Sequence, residues 1–223
     1  MITNKKLNNE FERIILLSSL NGGTGKSFII KHIAKSLLNN NKIGLLDVDI
    51  NNLGLTQSLQ LLNKRLESTT DSHGNTLVQP FDLDDIKFVS AGLLDIGSDL
   101  TGLRGGALSG ISRLLINEIN WGKLDYLLID LPSGLSDIEL TILDDFPAAE
   151  VLLISNGNIF ADNRKLQYYF NRKIKILGLL YNRLHSNDNF ENNCIDFCKN
   201  NDIKYFGIFY DILNQNHFPN FKL

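Results

Sequence analysis

The chain has 223 residues, 43% of them apolar, and a formal net charge of −3, which suits one α/β domain with a sizeable core. Its Lys and Arg residues are scattered, whereas non-specific nucleic-acid binding needs a concentrated basic face. No apolar run approaches the roughly 18–20 residues that span a bilayer. The opening MITNKKLNNEFER is not patterned as a signal peptide, and two cysteines, Cys194 and Cys198, fit a reducing compartment without a disulfide framework. The expectation is a single cytoplasmic domain over 1–223, with no nucleic-acid signal and no transmembrane segment.

Short apolar runs alternate with helical patterns along the chain. Strands are expected at 14–19, 43–48, 86–90, 126–131, 151–155, 174–181 and 205–209. Helix 26–38 carries Ile29, Ile30, Ile33, Ala34, Leu37 and Leu38 on one face at i, i+3, i+4 spacing. Stretch 107–119 repeats the pattern with Leu108, Ile111, Leu114 and Leu115, and helices at 162–170 and 190–200 follow. Near-continuous apolar strands alternating with helices imply a parallel sheet covered on both faces, with a ligand at the carboxyl ends of its strands. Residues 63–85 are polar and turn-rich, an excursion that reads as a small hairpin or a mobile loop. The abundant Asn fills loops and helix ends in short runs, unlike a prion-like tract. Trp121, at a helix-to-strand turn, reads as core.

The strongest motif joins the first strand to the first helix: Leu20-Asn21-Gly22-Gly23-Thr24-Gly25-Lys26-Ser27. Gly22, Gly23 and Gly25 leave backbone N–H groups free to point inward. The helix that follows brings its positive dipole end to the same spot. Lys26 is placed to reach β- and γ-phosphates, and the Ser27 hydroxyl to ligate Mg²⁺.

This loop, with "GLLDVDINNLG" and "DYLLIDLPSGLSD", resembles the deviant-Walker-A ATPases of the MinD/ParA/Mrp group. Within that group it looks most like the Mrp iron–sulfur cluster carriers, whose motifs read KGGVGKS, DADI and DLPPGTGD. The likeness covers most of 14–183, including "SAGLLDIGSDLTGLRGG", and "ILGLLYNR" is similar to the group's LGvvlNR segment. It implies a doubly wound, mostly parallel three-layer α/β P-loop fold that binds ATP and Mg²⁺, hydrolyses slowly and dimerises with ATP. The nucleotide would be held by Asn21, Gly22, Gly23, Thr24, Gly25, Lys26 and Ser27, with Gly134 near the γ-phosphate and Asn182 on adenine. The implied catalytic set is Lys26, Asp49 and Asp130. Asp49 would orient or deprotonate the attacking water, and Asp137 would brace the turn after Gly134. Metal would be held by Ser27, Asp47 and Asp130, the last through water. Segments 49–54 and 132–137 would be the two switches.

Two departures qualify this. At Asn21 the group has a Lys that reaches across a dimer, and losing a cation of the arginine-finger type costs roughly 10³–10⁵ in rate. Arg104 is one residue that would supply charge instead, or else a surface or bracing Arg. The group's carriers hold a cluster with a CxxC pair, whereas Cys194 and Cys198 form a CxxxC whose thiols share one helix face and read as buried apolar residues. The C-terminal DILNQNHFPNFKL lacks the basic amphipathic pattern of a membrane-binding tail. No NKxD-type guanine signature follows a late strand. The reading is a Mg-ATP-dependent dimeric switch acting on an unidentified partner protein or assembly. Beside it stand a weakly catalytic scaffold subunit supporting a paralogue, and a relative of the iron–sulfur carriers.

Overall fold

In the computed structural model, the described residues are 10–50, 52–70, 76–94, 115, 118–159, 164–183, 190–212 and 215–217. Strand β1 (Phe11–Ser18) leads into α1 (Lys26–Leu37), β2 (Ile43–Asp47) and the short α2 (Gly54–Ser58). A hairpin of β3 (Ser68–Thr70) and β4 (Thr76–Val78) precedes β5 (Phe81–Leu83) and β6 (Ile86–Ser90). Then come β7 (Leu124–Asp130), α3 (Asp137–Asp145), β8 (Glu150–Ser155), α4 (Arg164–Asn171), β9 (Lys175–Arg183), α5 (Glu191–Asn200), β10 (Tyr205–Ile212) and β11 (Gln215–His217).

The main sheet runs β11-β10-β9-β8-β1-β7-β2-β6-β5. Its seven inner strands are parallel, and β5 and β11 close the two edges antiparallel. Alternation along β1 shows why the strands read as unbroken apolar runs. Ile15 and Leu17 belong to one core layer, with Ile29, Ile30 and Ile33 of α1. Leu16 belongs to the other, with Ile142 of α3, Leu166 of α4 and Cys194 of α5. Both faces are covered, so both side-chain sets are apolar.

The expected α/β architecture is therefore present, with two corrections. Stretch 63–85 holds a hairpin, and it also contributes β5 to the edge of the main sheet. Helix α3 was not anticipated, although Ser136 caps it by accepting from the Glu139 N–H (3.2 Å), half of an S-x-x-E capping box. The expected helix at 107–119, Arg104 and the last six residues lie outside the described residues, apart from Leu115, which is helical and buried, and 118–119. Trp121 is fully buried, its ring edge-on to Phe11.

A candidate nucleotide site at the strand ends

The segment between β1 and α1 is a tight loop because its glycines take conformations that side chains resist. Gly23 and Gly25 lie at φ 70° and 78°, in the left-handed region. Gly25 caps α1, its carbonyl accepting from the Phe28 and Ile29 N–H groups. Lys26 is nearly buried and donates to Ser19 Oγ (3.1 Å), while Ser19 donates to the Asn21 carbonyl (2.7 Å). The serine at the end of β1 thus ties the loop to its own lysine. Asn21 donates through Nδ2 to the Asn158 carbonyl of the same chain. Asn182, 3% exposed, donates to the Thr24 carbonyl (2.8 Å) and so braces the loop from the end of β9.

Parallel register brings the carboxylates to the same place. Asp47 pairs with Asp130 across β2 and β7, and Leu17 of β1 pairs with Asp130 from the other side. Asp47 is held in place: its Oδ1 accepts the Asp49 N–H (3.1 Å), and its Oδ2 accepts from the hydroxyls of Thr56 (2.9 Å) and Ser90 (3.4 Å). Burial, then the charge of Asp130, pushes its carboxyl up to about 7 against the pull of Thr56. Asp49 is also buried, its Oδ1 accepting the Asn52 N–H (3.2 Å).

Asp130 is different. It is 1% exposed, and neither carboxylate oxygen accepts a well-formed hydrogen bond. Burial pushes it up to about 6, offset in part by the nearby Ser27 hydroxyl and the Lys26 charge. Orphaned buried oxygens are rare and call for a partner. Two carboxylates and a hydroxyl, all oxygen donors, are the chemistry that Mg²⁺ takes alongside phosphate. Next to them opens a cleft of about 360 Å³ lined by Gly23 to Phe28, Lys31, Asp49, Asn52, Gly54 and Ser58. Gly134, at φ 78°, follows β7, and Asp137 is the first residue of α3.

Asn21 to Ser27, Asp47, Asp49, Asp130, Gly134 and Asn182 thus gather around the carboxyl ends of β1, β2, β7 and β9, while Arg104 lies outside the described residues. Sequence reasoning missed Ser19, Thr56, Ser90 and Asn158, and a buried group behind Gly134. In that group Lys165 of α4 donates to the Gly134 carbonyl (2.7 Å) and pairs with Glu139 of α3 (2.8 Å). Tyr169 donates to Glu139 and lies 2.7 Å from Ser18 Oγ.

Among the described residues no cluster of three or more His, Cys, Asp and Glu is placed to hold a metal ion. Cys194 and Cys198 are buried in the core under α5. Burial pushes their thiols up to about 11 and about 12, away from the thiolate form that binds metal.

The glycine loop, the buried lysine and the paired strand-end carboxylates are the anatomy of a P-loop NTPase, and residues 10–206 match the model of the family described as NUBPL iron-transfer P-loop NTPase. The chain belongs to this family. Among curated relatives of this P-loop family, the iron–sulfur cluster carrier protein of Synechocystis sp. is 30% identical over 177 residues, covering 78% of this chain and 50% of the relative. The cytosolic Fe-S cluster assembly factor CFD1 of Kluyveromyces lactis is 31% identical over 182 residues, covering 78% and 64%. The chain thus spans about half to two thirds of these relatives' length. The fold is also that of the Archaeoglobus fulgidus nucleotide-binding protein in complex with ADP (TM-score 0.75, 20% identity, 96% of this chain and 88% of that one). It is likewise that of the septum site-determining protein MinD of Pyrococcus horikoshii (TM-score 0.60, 18% identity, 90% and 82%). No helix among the described residues is long and apolar enough to cross a membrane.

Proposed function

We propose that this chain is a Mg-ATP-binding, slowly hydrolysing switch that acts on a partner protein in iron–sulfur cluster assembly. The observation that carries the reading is Asp130, a buried carboxylate with no well-formed hydrogen bond, standing beside Ser27 and Lys26 at the mouth of the glycine loop. A carboxylate left this way raises the energy of the free fold, and a cation with phosphate would relieve it. In this reading the loop N–H groups and Lys26 hold the phosphates, and Ser27 and, through water, Asp130 hold Mg²⁺. Asp47 supports that metal shell, Asp49 orients the attacking water, and Asn182 contacts adenine. Mg²⁺ would neutralise phosphate charge. Two copies would meet across their nucleotide sites.

The relatives' names supply the process, and the cysteines shape the role. With both thiols of this sequence buried, the cluster's ligands come from outside these residues, which contribute nucleotide-dependent timing. A second reading, a nucleotide-holding subunit with little turnover, is favoured by Asn21. Its uncharged side chain is engaged with Asn158 of its own chain.

Phosphate release from Mg-ATP, with oligomeric state by gel filtration, tests these readings on wild type, Lys26→Ala and Asp49→Ala. Turnover lost in both variants, with an ATP-driven dimer, supports the switch. ATP binding without Asp49-dependent turnover leaves the holding subunit. Absence of ATP binding removes both.

A further inference from the structure

We propose that Lys165 is a positioning residue that latches the segment after β7 through the Gly134 carbonyl and reports release of that latch to the surface of α4. This rests on the nucleotide-switch reading and adds to it a residue and a route.

One ammonium joins three parts of the fold. Lys165, 3% exposed, belongs to α4, donates to the Gly134 carbonyl in the segment after β7, and pairs with Glu139 of α3. Glu139, fully buried, also accepts from Tyr169 of α4, which meets Ser18 at the end of β1. The group therefore touches both strands that feed the candidate site, β1 before the glycine loop and β7 before Gly134.

Gly134 is the point of contact. Beyond its two chain neighbours, no atom lies within 4 Å of the position that a Cβ there would occupy, so the turn has open space on that side. The hydrogen bond from Lys165 holds its carbonyl on the other. Because the peptide is planar and trans, a carbonyl held toward Lys165 aims the Leu135 N–H the opposite way. The neighbouring Ser133 abuts the loop, its Oγ 3.7 Å from where a Cβ on Gly22 would stand. A γ-phosphate that turned this peptide toward the loop would draw its carbonyl from Lys165.

The contact is built to be released. If the Gly134 carbonyl leaves, Lys165 keeps Glu139, and Glu139 keeps Tyr169, so no buried charge is stranded. Burial lowers the Lys165 pKa and raises that of Glu139, and each group's charge offsets the other's displacement, as expected of a pair that holds together alone. The change has an outlet: α4 exposes Phe170 (44%), and Arg172 beyond its end pairs with Asp144 of α3 at the surface. That face is where a partner would sense the state of the site.

The test uses the full chain with Mg-ADP and with a Mg-bound non-hydrolysable ATP analogue. In wild type, hydrogen exchange in peptides covering 132–136 and 164–171 should differ between the two ligands. In Lys165→Met/Glu139→Gln, which removes both charges together, ADP should still bind. Its preference for the triphosphate analogue over ADP should rise about tenfold or more, the weight of one charge-assisted hydrogen bond, and exchange in 164–171 should stop depending on the ligand. A preference within twofold of wild type in the folded variant would overturn the proposal. So would identical wild-type exchange under the two ligands, which decides the matter even if the variant does not fold. A wild type that binds neither nucleotide brings down the nucleotide reading itself, before any variant is compared.

Discussion

Asp130→Asn should make the nucleotide-free protein more stable while removing the benefit of bound Mg-nucleotide. The carboxyl moves from 3.8 to about 6 on folding, chiefly by burial. A carboxyl raised in this way holds its proton more tightly in the fold. Its contribution to stability is complete below pH 3.8 and is withdrawn as pH rises through about 6. Above that, the ionised group costs about 3 kcal/mol, since every tenfold change in proton affinity is worth about 1.4 kcal/mol. Asparagine removes this cost, and it also relieves Asp47, which the Asp130 charge pushes upward. Urea and thermal unfolding at pH 8 and pH 4.5, without nucleotide or divalent cation, measure the difference. The variant should be more stable by about 3 kcal/mol at pH 8 and by only about 1 kcal/mol at pH 4.5. At pH 8 the thermal midpoint should rise by about 6–12 °C for a chain of this size. Mg-ATP should then raise the wild-type midpoint and leave the variant's nearly unchanged. A variant less stable than wild type at pH 8, or a gap that ignores pH, would refute the idea that Asp130 is an incompletely compensated buried charge.

Trp121→Ala, which empties a fully buried indole site against Phe11 of β1, should cost about 3–5 kcal/mol in urea unfolding. Cys194 and Cys198 should resist iodoacetamide at pH 8 in the native protein and react promptly in urea, because their thiols titrate at about 11 and about 12 only while folded. Rapid native labelling of both would contradict their place in the core. Asn21→Lys should raise phosphate release at least tenfold if the missing cation limits the rate, given the roughly 10³–10⁵ such groups supply. An unchanged rate would mean that the charge comes from elsewhere.

Much of the site was legible because the glycine loop is continuous in sequence. Residues 20–27 carry their own geometry, in that Gly23 and Gly25 do need positive φ and Lys26 does start a helix. Asp47 and Asp130 were legible as strand ends, and parallel register then sets them side by side. What could not be read is what distant segments bring together. Lys165 looks like one polar residue of an amphipathic helix, yet its partners Gly134 and Glu139 are 31 and 26 positions away, and Tyr169 meets Ser18 across 151. Helix α3 carried a usable signal in Ser136 and Glu139, but Glu139 turns inward to Lys165 instead of back to its cap. β5, at three residues, is too short for periodicity to separate it from the polar stretch around it.

Equilibrium binding of Mg-ATP to wild type and to Lys26→Ala tests the central claim most directly. Circular dichroism first establishes that Lys26→Ala, which loses the ammonium's bond to Ser19, is folded. Saturable wild-type binding that Lys26→Ala abolishes, and that weakens when Mg²⁺ is withdrawn, is the result predicted. No saturable binding, or binding of equal strength in the two proteins, would mean that the loop between β1 and α1 is not a nucleotide site.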